Sequence, residues 1–476
     1  MSISRHFVLP AMVLMAALST QAADPPALGK AAPAASQVKA SAQQGALTLV
    51  SPKHAYETVL LDSSGKEVHV WTSTAQGAGG VRMQKDGSLL RLGRMPLPPP
   101  FDKYGLMGGR LQILGWDDKV EWDFLDAVSD HMAYGDALVL PNGNVLTAVL
   151  EHKTREECEA LGRRSEDTSD TGLFVPGLME FQRNGKKTGI PVWKWSVTQH
   201  VYQARHPNLP DYSYPQPKAG RVDVGMRPSP KSPVWLMPTE IDHHTEHDLV
   251  LMVVGGLGEL WVLDHSTTAA ESGTSQGARR DKGGDILLRW NGMGGVNTGQ
   301  AKGAVLSAEW VQKSPAGKGP LITVLRFDGV KQEFLAEEVE LDESNFEVKA
   351  VTPLWNEKRA TQVADAKATP VAKGPSALSR DPVSGSLLLT DIFFGSLRRT
   401  EQGKATWDHQ NTRGKITMSL TVGSKGGEGC CGGQQGKADD TASTPSPATT
   451  PPPIKLEVAS TVKAHLYPKN SLQRQP

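Results

Sequence analysis

Three histidines crowd into one short run, Asp242-His243-His244-Thr245-Glu246-His247. Zinc or nickel would accept imidazoles at that density, so His243, His244 and His247 are candidate metal ligands. The run lies between PVWLMPTEI and LVLMVV, two strand-like segments. A hairpin turn is expected there, and a solvated turn explains the same residues. His131, in SDHMAYGD, reads as a loop histidine. His265 follows a strand in VLDHSTT, where Asp264-His265-Ser266 can close a turn through side-chain to backbone bonds. Structural support is the expected role of Asp264 and His265. Arg110 follows a Gly-Gly pair and Arg289 precedes Trp290. Either could bind an anion, and either could simply pair within a strand; Arg82 and Arg94 are no more specific. VYQARHPNLPDYSYPQPKAGR has the tyrosines and arginines of a phenol- or sugar-binding lid, and equally the composition of a disordered rim loop.

The elements that must position these residues are written in tryptophan. Trp71, Trp122, Trp195, Trp290, Trp355 and Trp407 each close or follow a short run that reads as a β-strand. Turn signals such as Ser64-Gly65-Lys66 and Asn184-Gly185-Lys186 precede several of these runs, and QKDGSLLRLG and LPNGNVLTAV supply further hairpins. A recurring strand–turn–strand–Trp unit, too small to bury its own face, predicts radial stacking. The expectation is an all-β chain folded as a six-bladed β-propeller. Insertions at Glu151–Thr171, His200–Pro233 and Ser266–Gly284 should decorate one rim as loops and a short helix.

The chain has 476 residues, with 51 basic and 51 acidic side chains. This balance leaves no electrostatic footprint for nucleic acid or an anionic membrane. Residues 1–22 have the basic, apolar and small-residue pattern of a secretory signal peptide, and the apolar run is too short to span a bilayer. Export to the periplasm or beyond is expected, with no membrane span. Residues 23–44 read as a disordered spacer, 45–422 as the propeller and 423–453 as a Gly/Ser/Pro-rich linker. Residues 454–476 form a tail that alternates again and is a candidate closing strand. Three cysteines, Cys158, Cys430 and Cys431, do not make a disulfide framework. No cofactor is expected.

Several stretches carry more than generic blade sequence. LLDSSGKEVHVW with KDGSLLRLG, MGGRLQILGWDDKVEWDF, LPNGNVLTAVLEHKTREE, and GELWVLDHSTTAAES followed by KGGDILLRW resemble the bacterial arylsulfotransferase family over residues 55–410. The resemblance implies a six-bladed β-propeller that moves a sulfuryl group from an aryl sulfate to a phenolic acceptor. It implies a funnel histidine that attacks sulfur and carries the group as a sulfohistidine, with further histidines and an arginine stabilising charge.

The positions that carry this chemistry in the family differ here. Tyr134-Gly135-Asp136 stands where the family has His-His-Asp, so that only Asp136 is kept. Trp235-Leu236-Met237 replaces Trp-Thr-His, and Leu306-Ser307-Ala308-Glu309-Trp310 replaces a His-Asp-x-His-Trp run. Two expectations follow. In one, His131 serves as a reserve nucleophile, with Arg110 or Arg289 on the sulfate. In the other, which the residues favour, the propeller is non-catalytic and binds a small molecule, a glycan or a protein partner.

Overall fold

The computed structural model describes residues 46–422 except 53, 227–231, 293–302, 360–373, 393 and 411–415. The expected signal peptide, spacer, linker and tail lie outside the described residues, as do Cys430 and Cys431. Six four-stranded antiparallel sheets form the blades of a propeller. From innermost to outermost strand, blade 1 is Ile416–Val422, Leu47–Pro52, Glu57–Leu61 and Glu67–Thr72. Blade 2 is Gly77–Met83, Leu89–Arg94, Gly109–Leu114 and Val120–Leu125. Blade 3 is His131–Val139, Val145–Lys153, Leu173–Asn184 and Thr188–Ser196. Blade 4 is Pro238–His244, Leu249–Val254, Glu259–Asp264 and Leu288–Trp290. Blade 5 is Gly303–Val311, Leu321–Asp328, Glu333–Leu341 and Val348–Lys358. Blade 6 is Ala377–Arg380, Leu387–Asp391, Ser396–Glu401 and Lys404–Gln410. The innermost strands of successive blades touch in a closed ring.

Middle strands are covered on both faces by neighbouring blades, which is why Leu249–Val254 is an uninterrupted, fully buried apolar run. All six expected tryptophans fall on the outermost strands or, for Trp71, on the strand that plays that part in blade 1. The reason is geometric. Strands lie ~4.8 Å apart, so the outermost one sits roughly 14 Å further from the axis than the innermost, where radiating blades have diverged. The largest side chain fills that wedge, and Trp71, Trp122 and Trp195 are fully buried there.

The ring closes through Ile416–Val422, which pairs antiparallel with Leu47–Pro52. The innermost slot of blade 1 is thus taken by the end of the propeller segment.

In an antiparallel blade, the link between the second and third strands and the link to the next blade leave from one face. The first two insertions belong to that face, with the 95–108 link of blade 2. Glu151–Lys153 extend the second strand of blade 3, and a helix, Arg155–Ala160, follows, started by a Thr154–Glu157 capping box. Buried Cys158 lies on it, with its thiol pKa pushed up to about 11 by burial. The His200–Pro233 insertion is ordered over its described part: Arg163 donates to the carbonyls of Val224 and Met226, and Val201–Tyr202 pairs with Val222–Asp223. The Ser266–Gly284 insertion starts from the opposite face. It packs along the outermost strand of blade 3, where Trp193 donates to Thr267 and Trp195 to the Gly284 carbonyl.

Candidate functional site

The centre of the propeller is built on glycine. A Cβ at Gly79 of blade 2 would lie 2.2 Å from the Gly135 carbonyl oxygen of blade 3. A Cβ at Gly135, whose φ is +72°, would lie 2.7 Å from the Pro238 carbonyl oxygen of blade 4. Three innermost strands therefore approach backbone to backbone, at distances no side chain permits. Gly135 occupies the second histidine position of the arylsulfotransferase pattern, and a histidine has no room there. At the first histidine position, Tyr134 is buried and its hydroxyl donates to the Met237 sulfur (3.2 Å). Burial pushes the Tyr134 phenol pKa up. Met237 itself stands at the histidine position of the next blade.

Below this pair, polar side chains of blades 3, 4 and 5, most of them acidic, join each of those innermost strands to the next. Asp136 accepts from the Ile241 N–H (3.3 Å), and Glu240 and Asp242 accept from the N–H groups of Ala308 (2.7 Å) and Trp310 (2.9 Å). Glu309 accepts from the Arg380 N–H (2.5 Å), and Ser307 from the Leu378 N–H (3.1 Å). The cause lies in the topology. The free edge of an innermost strand presents N–H groups that no fifth strand pairs, and buried donors must find acceptors. A short carboxylate from the preceding blade reaches them. Arg82 of blade 2 crosses the same region. It donates to Asp136 (2.9 Å) and Asp242 (3.4 Å) and to the carbonyls of Ala137 (3.0 Å) and Ile241 (2.6 Å), so one side chain ties three blades together.

The residues expected to serve a sulfuryl transfer do not converge. His131 sits at the start of the innermost strand of blade 3, with Nδ1 3.0 Å from Asp130 and Nε2 3.0 Å from Asp126. Burial works to lower its pKa, but the two carboxylates prevail and raise it. Both ring nitrogens are thus engaged by carboxylates, and neither is presented to the innermost strands' centre as a nucleophile for sulfur. Arg110 lies on the third strand of blade 2 in a two-pronged pair with Asp123 (2.7 and 2.6 Å). Arg289 lies on the outermost strand of blade 4, doubly bonded to Glu259 and set over the Trp261 ring. Both arginines are engaged well away from the innermost strands. Asp264 accepts from Ser266 and Arg280, as a turn-closing residue should. Arg82 was weighed in the sequence only as an unspecific anion binder, and Glu240 and Asp242 went unweighted. The available signal was an acidic residue at alternate positions, Thr239-Glu240-Ile241-Asp242, within an otherwise apolar neighbourhood.

The histidine run is not a solvated turn. His243 and His244 are the last two residues of the innermost strand of blade 4 and are buried, and only His247 lies in the turn. The run also splits. His244 packs against Trp310 and takes the His247 N–H on Nδ1 (3.3 Å); burial, then the neighbouring histidines, pull its pKa down to about 4. His243 turns to Asp248, whose carboxylate it approaches at 2.9 Å through Nε2. His265 meets the same Asp248 oxygen through Nδ1 (2.8 Å) and Glu180 of blade 3 through Nε2 (3.1 Å). Burial would lower the His265 pKa, but the two carboxylates raise it to about 9. The two imidazoles in turn hold Asp248 well below the usual carboxylate range.

Fold and centre together define a six-bladed β-propeller in which inter-blade hydrogen bonds join innermost strands. No protein-family model matches the chain, and no curated protein matches it by sequence. Among solved structures it is similar to the periplasmic gluconolactonase of Pseudomonas aeruginosa, at 12% identity and TM-score 0.39, over 80% of this chain and 99% of that one. It is similar to a putative 6-phosphogluconolactonase from Bacteroides uniformis, at 11% identity and TM-score 0.40, over 80% and 100%. A β-propeller domain from Myceliophteria thermophila aligns at 11% identity and TM-score 0.39, over 80% and 90%. Among the described residues, no helix is long and apolar enough to cross a membrane.

Proposed function

We propose that this protein is a non-catalytic binding propeller, exported as its first residues suggest, and that sulfuryl transfer is not its activity. The observation that carries the reading is Gly135: at the funnel position where relatives in the arylsulfotransferase pattern carry histidine, the backbone of blade 4 fills the space of a side chain. Charge supports it. Asp136, Glu240, Asp242 and Glu309 gather around the axis, and Arg82 is already bonded to two of them. Such a centre repels an aryl sulfate. The binding surface is then the face that carries the 95–108, 154–172 and 197–226 segments. Exposed Tyr104, Tyr212 and Tyr214 lie on these segments, Tyr214 at 69% exposure. Tyrosine faces with accessible hydroxyls suit the apolar faces and hydroxyl edges of sugar rings, so a glycan is the favoured ligand class.

Purified protein is offered nitrophenyl sulfate with phenol as acceptor, and nitrophenol release is followed. No release above the blank is expected. Turnover that disappears in His131→Ala would overturn the reading. A glycan array then tests the ligand class: binding that falls at least tenfold in a Tyr212→Ala, Tyr214→Ala variant is expected, and an array without any retained glycan rejects it.

A further inference from the structure

Away from the axis, on the opposite face from the tyrosines, we propose that His243, Asp248 and His265 form a binding site for one divalent transition metal of the zinc or nickel class. The site is independent of the ligand assigned above. Nε2 of His243, Oδ1 of Asp248 and Nδ1 of His265 all lie within 4.8 Å of one another. Two imidazoles and one carboxylate form the mixed nitrogen and oxygen set that zinc and nickel accept, whereas calcium or magnesium would want oxygens throughout. The Asp248 oxygen lies 2.9 Å from one ring nitrogen and 2.8 Å from the other, so the three donor atoms are already gathered around a small space.

The surroundings are those of a ligand set. Glu180 meets the far nitrogen of His265 at 3.1 Å, which orients the ring so that Nδ1 faces Asp248 and the space a metal would share with it. Glu180 is held in turn by Asn142 (3.1 Å) and Asn144 (2.5 Å), both on its other oxygen. Trp193 packs edge-on against the His265 ring at 4.7 Å. His243 is the penultimate residue of an innermost strand, Asp248 lies in the following turn at φ +51°, and His265 directly follows the third strand. Each ligand is therefore anchored to blade 4, with its support from blade 3. The Asp248 side chain is 29% exposed while both imidazoles are nearly covered, so a metal enters past Asp248 and keeps its remaining positions toward water. His244 and His247 do not contribute: they face each other, and His247 lies 3.6 Å from Glu343.

The test uses the full chain in a Cys430→Ser, Cys431→Ser background, so that thiols do not compete. After EDTA treatment and dialysis, Zn2+ and Ni2+ are titrated calorimetrically, and Co2+ is added as an absorption probe of coordination. One metal per chain is expected, with visible Co2+ bands. Affinity should fall at least tenfold in Asp248→Asn and in His265→Gln, and about tenfold in Glu180→Gln, as for a residue that orients a ligand. His247→Gln should stay within twofold of the parent. Melting in EDTA identifies any variant that fails to fold, and Asp248→Asn, a turn substitution, then decides. Absence of saturable binding overturns the site, as does unchanged affinity in a folded Asp248→Asn. Loss confined to His247→Gln does so too.

Discussion

Removing the guanidinium of Arg82 should unlock the centre of the propeller. The side chain is buried and bonded to two carboxylates and two carbonyls drawn from blades 3 and 4. Arg82→Met keeps its apolar volume and strands Asp136, which is fully buried. Breaking a buried ion pair from one side costs about 3–5 kcal/mol, a large share of the roughly 5–15 kcal/mol that holds a typical domain folded. At ~2.1 cal/mol/K per residue, roughly 375 propeller residues give an unfolding entropy of about 0.8 kcal/mol/K. The melting temperature should therefore fall by about 4–6 °C, read by calorimetry or near-UV circular dichroism. Arg82→Lys should recover little, because a single ammonium cannot span the same forked set of acceptors. Adding Asp136→Asn to Arg82→Met should restore at least half of the loss, since the stranded charge is removed with its partner. A drop under about 1 °C in Arg82→Met, or one that Asp136→Asn leaves undiminished, would refute the lock.

Two further outcomes follow from the same structure. A chain ending at 422 should melt cooperatively like the parent, whereas one ending at 415 loses the strand that closes blade 1 and should show protease sensitivity and no single transition. His69 stacks on Trp116 at 3.7 Å with Trp71 against its edge, and burial pulls its pKa down to about 4. Because the unfolded ring titrates near the ordinary 6.5, the stability that neutral His69 supplies is complete above that pH. It is lost as pH falls toward 4, by of order 2 kcal/mol. His69→Phe should flatten that part of the stability–pH curve in urea melts, and an unchanged curve would count against it.

The blades were legible because their signals are local. A tryptophan on each outermost strand and a glycine turn between strands follow from strand spacing and turn geometry, which short segments carry on their own. The edges of single elements were less so: His243 and His244 read as a turn because the apolar run breaks at Asp242, yet the strand continues through them. The pairing that closes blade 1 was not legible for another reason. Ile416–Val422 meets Leu47–Pro52 across almost the whole chain, and neither segment carries a mark of its partner.

The candidate sites divide along the same line. From its residues alone the chain determines a six-bladed β-propeller. Only the tertiary structure decided how its innermost strands meet. Gly79 and Gly135 are ordinary loop-forming residues in sequence, and they mean close approach only once blades 2, 3 and 4 meet. Arg82 acquires its role from acceptors 54 to 160 residues away, and His265 meets Glu180 across 85. Such pairings depend on how rigid sheets pack around an axis. No local propensity encodes that, because hydrogen-bond partners are set by distance in space.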